Sequence, residues 1–286
     1  MVPRRRDAGP QPGGFVRSSG AVRSAFSVEG EGPPLFLIHG IGASRHSWDG
    51  LVSRLSPHFR CIGYDLRGHG KSPKPPPPYS LDDLVEDLEA LRAELGIERA
   101  HFAGHSLGGM IGPAYARRYP QHVISLGLLS TAAFRTADDS AKVRGVVAAM
   151  RAKGIAPVLE TLKERWFTPE FAARSPDVIE RRMQQVIGTD AGVFLSVFDI
   201  YAETEMAPWL SEIAQPCLVL TGENDGACNP RLNGQIAAAL PSSRLVILPH
   251  LRHAILLEAP EQVVPPILAF LQDAGGSWNG AQRSLR

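Results

Sequence analysis

The chain has 286 residues, 44% of them hydrophobic and 21% charged, with 30 Lys and Arg against 29 Asp and Glu for a formal net charge of +1. That size and apolar content can bury one large core with an insertion rather than two unrelated domains, and the near-neutral charge supplies no field to gather nucleic acid or an anionic membrane. No apolar run approaches the roughly 18 residues a bilayer span needs, no signal-peptide segment opens the chain, and Cys61, Cys217 and Cys228 show neither zinc spacing nor an even disulfide set, so they read as reduced residues of a cytoplasmic protein.

In chain order, residues 1–20 are rich in Arg, Pro, Gly and Ser, and the basic cluster Arg4-Arg5-Arg6 reads as part of a disordered tail. Strand-like runs fall near 22–28 and 35–39; the second, Leu35-Phe36-Leu37-Ile38, leads into His39-Gly40-Ile41-Gly42. After a strand near 60–65, the stretch Asp65 to Ser72 has glycines and polar side chains suited to a turn bonded to its own backbone. Five prolines between Lys71 and Pro78 then make an extended linker. A helix over 81–95 is signalled by Ser80 as N-cap, by Asp82 and Asp83 in the first turn, and by apolar Leu81, Leu84, Val85, Leu88 and Leu91. A strand near 99–104, a helix over 107–118 and a strand near 123–129 follow. From 132 to 210 the alternation stops: amphipathic helical segments with no convincing strand read as a helical cap inserted between two sheet strands. Strand 216–221, helix 231–240, strand 244–249 and helix 260–272 complete the pattern, and 274–286 reads as a second disordered tail. Alternation of this kind predicts a mainly parallel sheet covered on both faces, built from 21–131 and 211–273.

Within that frame, Gly104-His105-Ser106-Leu107-Gly108 stands between the apolar run Ala100 to Ala103 and the helix-like Gly109 to Tyr119. A nucleophile in so sharp a strand-to-helix turn is held in a strained conformation that only small flanking residues permit, which is a steric reason for both glycines. A serine hydroxyl needs a base to take its proton and a third group to orient that base. Both are expected downstream, each at the carboxyl end of a later strand. Asp225 in the turn Gly222-Glu223-Asn224-Asp225-Gly226 is the candidate acid, with Glu223 as a rival, and His253 after the strand Arg244 to Leu248 is the candidate base, with His250 as a rival. His46, His58, His101 and His122 read as packed or exposed residues without chemistry.

These motifs resemble the α/β-hydrolases: Phe36-Leu37-Ile38-His39-Gly40, Tyr64-Asp65-Leu66-Arg67-Gly68-His69-Gly70-Lys71-Ser72, Gly104 to Gly109, Gly222 with Asp225, and the tail His253, Glu258, Pro260, Glu261. The resemblance spans about 26–272 and implies oxyanion donors at the backbone amides of Ile41 and Leu107, with His39 packed under the loop or at the edge of the pocket. Arg165-Trp166-Phe167-Thr168 and Met150 to Gly154 resemble the cap of 3-oxoadipate enol-lactonases. That subfamily carries Met where Leu107 stands, and many relatives have Gly where Arg252 stands.

The implied activity is serine-dependent hydrolysis of a small to medium carboxylic ester or lactone through an acyl-enzyme, with no cofactor and no metal. A small molecule is the expected partner, not nucleic acid or membrane. Serine at the elbow speaks against dehalogenase or epoxide hydrolase chemistry, which uses an aspartate there. C–C bond hydrolysis and perhydrolase or haloperoxidase chemistry use the same triad, and a ligand receptor keeps it without turnover. Trp166, Phe167, Phe171, Phe194, Phe198 and Tyr201 are candidates to line the pocket, and Arg135, Arg144, Arg151 and Arg165 to clamp a substrate carboxylate.

Overall fold

The computed structural model describes residues 20–283, with side chains up to residue 275. Seven strands form one sheet in the order β1-β3-β2-β4-β5-β6-β7: β1 (Phe26–Glu29), β2 (Pro34–Ile38), β3 (Arg60–Tyr64), β4 (Ala100–His105), β5 (Val123–Leu129), β6 (Cys217–Gly222) and β7 (Ser243–Leu248). Only β1 runs antiparallel, against β3. The central strands β2, β4, β5 and β6 are apolar along almost their whole length because helices cover both faces.

On one face lie α1 (Asp49–Leu55) and α11 (Pro260–Arg283), burying Leu35, Leu37, Leu218 and Leu220 of the sheet with Trp48, Leu51 and Ile267. On the other, α2 (Leu81–Glu94) and α3 (Gly108–Arg118) bury Phe36, Phe102 and Leu126. The start of α2 is a capping box: the Asp83 amide donates to Ser80 Oγ at 3.1 Å and the Ser80 amide to Asp83 Oδ2 at 2.8 Å. Further along, α9 (Pro230–Ala239) links β6 to β7, and the short α10 (Ile255–Glu258) precedes α11.

Between β5 and β6 the chain forms five helices and no strand: α4 (Ala137–Lys153), α5 (Ile155–Trp166), α6 (Pro169–Arg174), α7 (Pro176–Ile187) and α8 (Ala191–Glu203). Phe194 and Val197 of α8 and Met150 and Leu159 of α4 and α5 share one core with the sheet, so this insertion is packed on the body of the fold.

One element was not expected and one expected boundary changes. α1 has only two buried side chains, Leu51 and Leu55, too few for an amphipathic pattern to be read from seven residues. α11 runs to Arg283 rather than ending near 272; Phe270, Leu271 and Ala274 are buried at helical spacing, which carries the helix past the point where the paired glycines suggested a tail. Apart from Gly20, the expected first tail lies outside the described residues, as do 284–286 of the second. Among the described residues no helix is long and apolar enough to cross a membrane.

Candidate active site

Ser106 occupies the turn between β4 and α3 with φ at +57°, a region costly for a residue with a Cβ. Tertiary bonds hold it there: its amide donates to Leu129 O at 2.9 Å and its carbonyl accepts from Thr131 Oγ1 at 2.9 Å. The flanking glycines are required by contact, since a Cβ on Gly104 would lie 2.0 Å from Gly108 O and one on Gly108 would lie 2.3 Å from Ile38 O. Strand, elbow and helix are thus pressed together at two points that admit no side chain.

The end of β6 supplies Asp225, fully buried. Its Oδ1 accepts from the amides of Ala227 at 2.9 Å and Cys228 at 2.8 Å, while Oδ2 accepts from His253 Nδ1 at 2.8 Å. Two backbone donors therefore fix the carboxylate's rotation, and the remaining oxygen fixes the imidazole. Burial works against a charged His253, but the adjacent Asp225 carboxylate outweighs it and holds His253 well above the ordinary histidine value. The converse holds for Asp225: burial alone would raise it, and His253 with the two amides keeps it below the usual range.

The rivals are placed elsewhere. Glu223 accepts from the His250 amide at 2.9 Å, and both side chains are exposed. His105 sits beside His253, its Nε2 donating to His253 O at 2.9 Å; burial keeps it neutral, at about 3. It acts as a prop for the loop that carries His253.

The loop after β2 faces Ser106 from the other side. The amides of Ile41 and Leu107 donate to no group among the described residues. Three contacts hold their surroundings: the Gly42 amide donates to His69 Nε2 at 3.2 Å, His39 Nδ1 donates to Gly40 O at 2.8 Å, and the Leu66 amide donates to His39 Nε2 at 2.9 Å. His39, brought down by burial to about 3, is neutral and wholly enclosed. It does not line the pocket as the sequence reading allowed, because both ring nitrogens are spent bridging two loops. Asp65 and Arg67 also stabilise loops, Asp65 through Arg45 and the Lys71 amide, Arg67 through Asp87 at 2.7 Å.

Above Ser106 lies a cavity of about 180 Å³, floored by Gly40, Ile41, Ser106 and His253 and walled by the helical insertion. Trp166, Phe167 and Tyr201 line it, as do Phe194 and Phe198, whereas Phe171 stacks behind Phe167 at 5.8 Å between ring centroids. Of the candidate arginines, Arg135 and Arg165 line the cavity. Arg144 is exposed away from it and Arg151 pairs with Asp199 at the surface. Arg182, which sequence reasoning passed over, lines it from α7. Its Nη1 and Nη2 donate to the carbonyls of Gly42 and Ile41, so it also anchors the peptide beside the candidate oxyanion donors.

The one group of metal-type donors found among the described residues is Asp225, Cys228 and His253, within 4.8 Å of one another. Asp225 and His253 bond to each other and the Cys228 thiol lies 3.1 Å from Tyr201 Oη, so these donors have protein partners.

A buried acid joined to an imidazole, a serine at a strained elbow and two unspent amides around one cavity is an arrangement that can deprotonate a hydroxyl and hold an oxyanion. Residues 33–260 match the family model described as alpha/beta hydrolase fold. The 3-oxoadipate enol-lactonase 2 of Acinetobacter baylyi is 30% identical over 205 residues, covering 72% of this chain and 76% of that protein. The crystal structure of the enol-lactonase from Burkholderia xenovorans LB400 superposes with a TM-score of 0.81 at 28% identity, covering 88% of this chain and 97% of that one. A thermophilic esterase from Thermogutta terrifontis with malate bound gives 0.81 at 28%, covering 88% and 94%.

Proposed function

The chain belongs to the alpha/beta hydrolase fold family, and from that premise we propose that it hydrolyses a small carboxylic ester or lactone through a serine acyl-enzyme. The observation that carries this reading is the His253 Nδ1 to Asp225 Oδ2 hydrogen bond of 2.8 Å at the floor of the cavity that holds Ser106. In the first half-reaction, Ser106 Oγ attacks the substrate carbonyl while His253 Nε2 takes its proton, and Asp225 stabilises the resulting imidazolium. The oxyanion is received by the Ile41 and Leu107 amides, the latter at the positive end of α3. His253 then returns the proton to the leaving alcohol or, in a lactone, to the ring oxygen, which stays tethered. Water attacks the acyl-enzyme by the same route in reverse and frees the acid.

The helices between β5 and β6 are read as a cap that keeps bulk water from the acyl-enzyme and sets acyl size. The enol-lactonase activity of the relatives puts lactones beside esters among the substrates to try, and a cavity of about 180 Å³ suits a short acyl chain.

The test is labelling with a fluorophosphonate probe, with turnover measured on p-nitrophenyl esters of graded length and on lactones including 3-oxoadipate enol-lactone. Stoichiometric labelling at Ser106 with turnover of short esters or lactones is expected. Labelling without turnover of any ester or lactone would remove the reading.

A further inference from the structure

The two candidate oxyanion donors are held by different parts of the molecule. The Leu107 amide belongs to the body of the fold: the carbonyl of its peptide, Ser106 O, accepts from Thr131 Oγ1 at 2.9 Å and from the Gly109 amide at 3.0 Å. The Ile41 amide is set from two sides. From the core, His39 Nδ1 donates to the carbonyl of the same peptide, Gly40 O, at 2.8 Å, so in a trans unit the N–H is turned away from His39. From the insertion, Arg182 of α7 donates to the next two carbonyls, Ile41 O and Gly42 O, which accept from no other donor among the described residues.

Further contacts from the insertion converge on the same loop. Gln185 Nε2 donates to Ser44 Oγ at 2.8 Å. Gly42 sits at φ +59°, and a Cβ there would lie 2.7 Å from Phe194 Cε2, so α8 presses on the turn where only glycine fits. The Arg182 guanidinium carbon lies 5.5 Å from the Trp166 ring centroid, and Trp166 O accepts from the Ala254 amide at 2.9 Å, next to His253. The arginine and the tryptophan thus stand between the oxyanion loop and the loop of the base. Burial, aided by the Arg182 charge, lowers His69, which leaves its Nε2 to accept the Gly42 amide at 3.2 Å. Arg182 itself is brought by burial to about 10 and stays protonated at neutral pH, with no carboxylate in ion-pair reach among the described residues. Withdrawing such a cation from water is costly for folding. Bonded to the loop where negative charge develops, it acts most favourably in the transition state.

We propose that Arg182 is a positioning residue for the oxyanion hole, and that docking of the helical insertion through it completes the Ile41 half of that hole while the Leu107 half stands without it. This rests on the ester-hydrolase reading of the same pocket. The insertion then has a part in the chemical step besides enclosing the substrate. When α7 loosens, the Ile41 amide loses its orientation, the Leu107 amide keeps its own, and hydrolysis slows while substrate affinity is kept.

The test measures kcat and KM on p-nitrophenyl butyrate, and affinity for an alkyl trifluoromethyl ketone, whose adduct with Ser106 places an oxyanion at the two amides. Arg182→Met should lower kcat by about 10- to 100-fold, less than the roughly 10²- to 10³-fold of deleting an oxyanion donor, because the amide itself remains. KM should move by less than about threefold, and ketone affinity should fall in parallel with kcat/KM. Arg182→Lys should lie between. Millimolar guanidinium should restore part of kcat in Arg182→Ala and not raise it in wild type, a response that general loosening of the fold would not give. Gln185→Ala, which removes only the Ser44 tie, should show the same split at about 3- to 10-fold, and it decides with Arg182→Lys if Arg182→Met does not fold. A kcat within about threefold of wild type in the folded variants, or a lowered kcat with unchanged ketone affinity, would overturn the proposal and leave the hydrolase reading standing. If wild type is labelled by the fluorophosphonate but turns over no ester or lactone, the hydrolase reading fails and the labelling rate decides. A rate lowered by about 10-fold or more in Arg182→Met then supports the positioning role, and an unchanged rate overturns it. A wild type that does not label at all overturns both.

Discussion

Replacing Asp225 with asparagine keeps the shape of the site and inverts its proton logic. Asp225 Oδ1 receives two amide hydrogens, from Ala227 at 2.9 Å and Cys228 at 2.8 Å. An asparagine must offer its carbonyl oxygen to those donors, which turns its NH₂ group toward His253 Nδ1. That nitrogen then accepts, the ring proton moves to Nε2, and the base is blocked at the atom that should receive the Ser106 proton. A tautomer trapped in this way costs about 10⁴-fold in kcat for triads of this type. The charge change also moves the pH profile. Burial lowers His253 and Asp225 raises it; with the carboxylate gone, burial prevails and the residual activity should titrate below the wild-type midpoint. Wild-type kcat/KM should rise with pH through a midpoint above the ordinary histidine value of about 6.5, because the free enzyme must first lose the proton that Asp225 favours. Stability carries the opposite sign. A histidine raised in the folded state contributes stability that is complete below its unfolded value and is lost as pH rises through its folded value, and a lowered aspartate contributes stability that is lost as pH falls through its folded value. The pair therefore helps most between about pH 4 and 6.5. The Tm gap between wild type and Asp225→Asn should be widest in that window and shrink on the alkaline side, with a ceiling of about 3–5 kcal/mol for a broken buried pair. Stopped-flow or steady-state rates across pH 5–9 and thermal melts over the same range read both effects. A loss in kcat of less than about 10²-fold, or a Tm gap that widens toward alkaline pH, would refute the assigned roles.

Ser106→Ala should leave a folded protein with activity lower by about 10³-fold or more; full retention of ester turnover in pure variant would remove the nucleophile assignment. Gly104→Ala places a Cβ 2.0 Å from Gly108 O, a backbone atom that cannot step aside, so Tm should fall by about 5 °C or more, and an unchanged melt would contradict the packing described at the elbow. Arg252→Gly removes the guanidinium that bonds Glu164 O and Phe167 O next to the base. Since Ala254 beyond His253 also donates to Trp166 O at 2.9 Å, this joint positions the base against the insertion. Its loosening should lower kcat by up to about 10²-fold with a smaller change in KM, and an unchanged kcat would show that the joint positions nothing.

How much of this could be read from the chain follows from where each property resides. The sheet was legible because β2, β4, β5 and β6 are buried on both faces and so are apolar at nearly every position, and α2 because its cap and its period agree. Ser106, Asp225 and His253 were legible because the fold puts each at the carboxyl end of a strand, in a loop whose small or polar residues have little else to do. α1 was not, since seven residues with two buried side chains carry no usable period. His39 was half legible: its place after β2 was clear, but whether an enclosed imidazole faces the cavity or bridges loops depends on Gly40 O and the Leu66 amide, and the latter is 27 residues away.

Arg182 is the instructive failure. It follows Arg181 on α7, and two adjacent arginines on a helix with buried Ile179, Met183 and Val186 read as one solvated polar face. At 100° per residue the two cannot face alike. Arg181 is exposed, while Arg182 lies at the edge of the buried stripe and reaches Gly42 and Ile41. What separates Arg182 from the solvated Arg181 is which groups it can reach, a property of everything packed around it. Arg151 shows the contrast: it looked equally suitable in sequence, and Asp199 satisfies it at the surface. The candidate catalytic groups announce themselves through local turn chemistry. Side chains in a helical insertion are defined by which partners the fold leaves them, and on that criterion Arg135 stands apart, its buried Nη2 without an acceptor among the described residues.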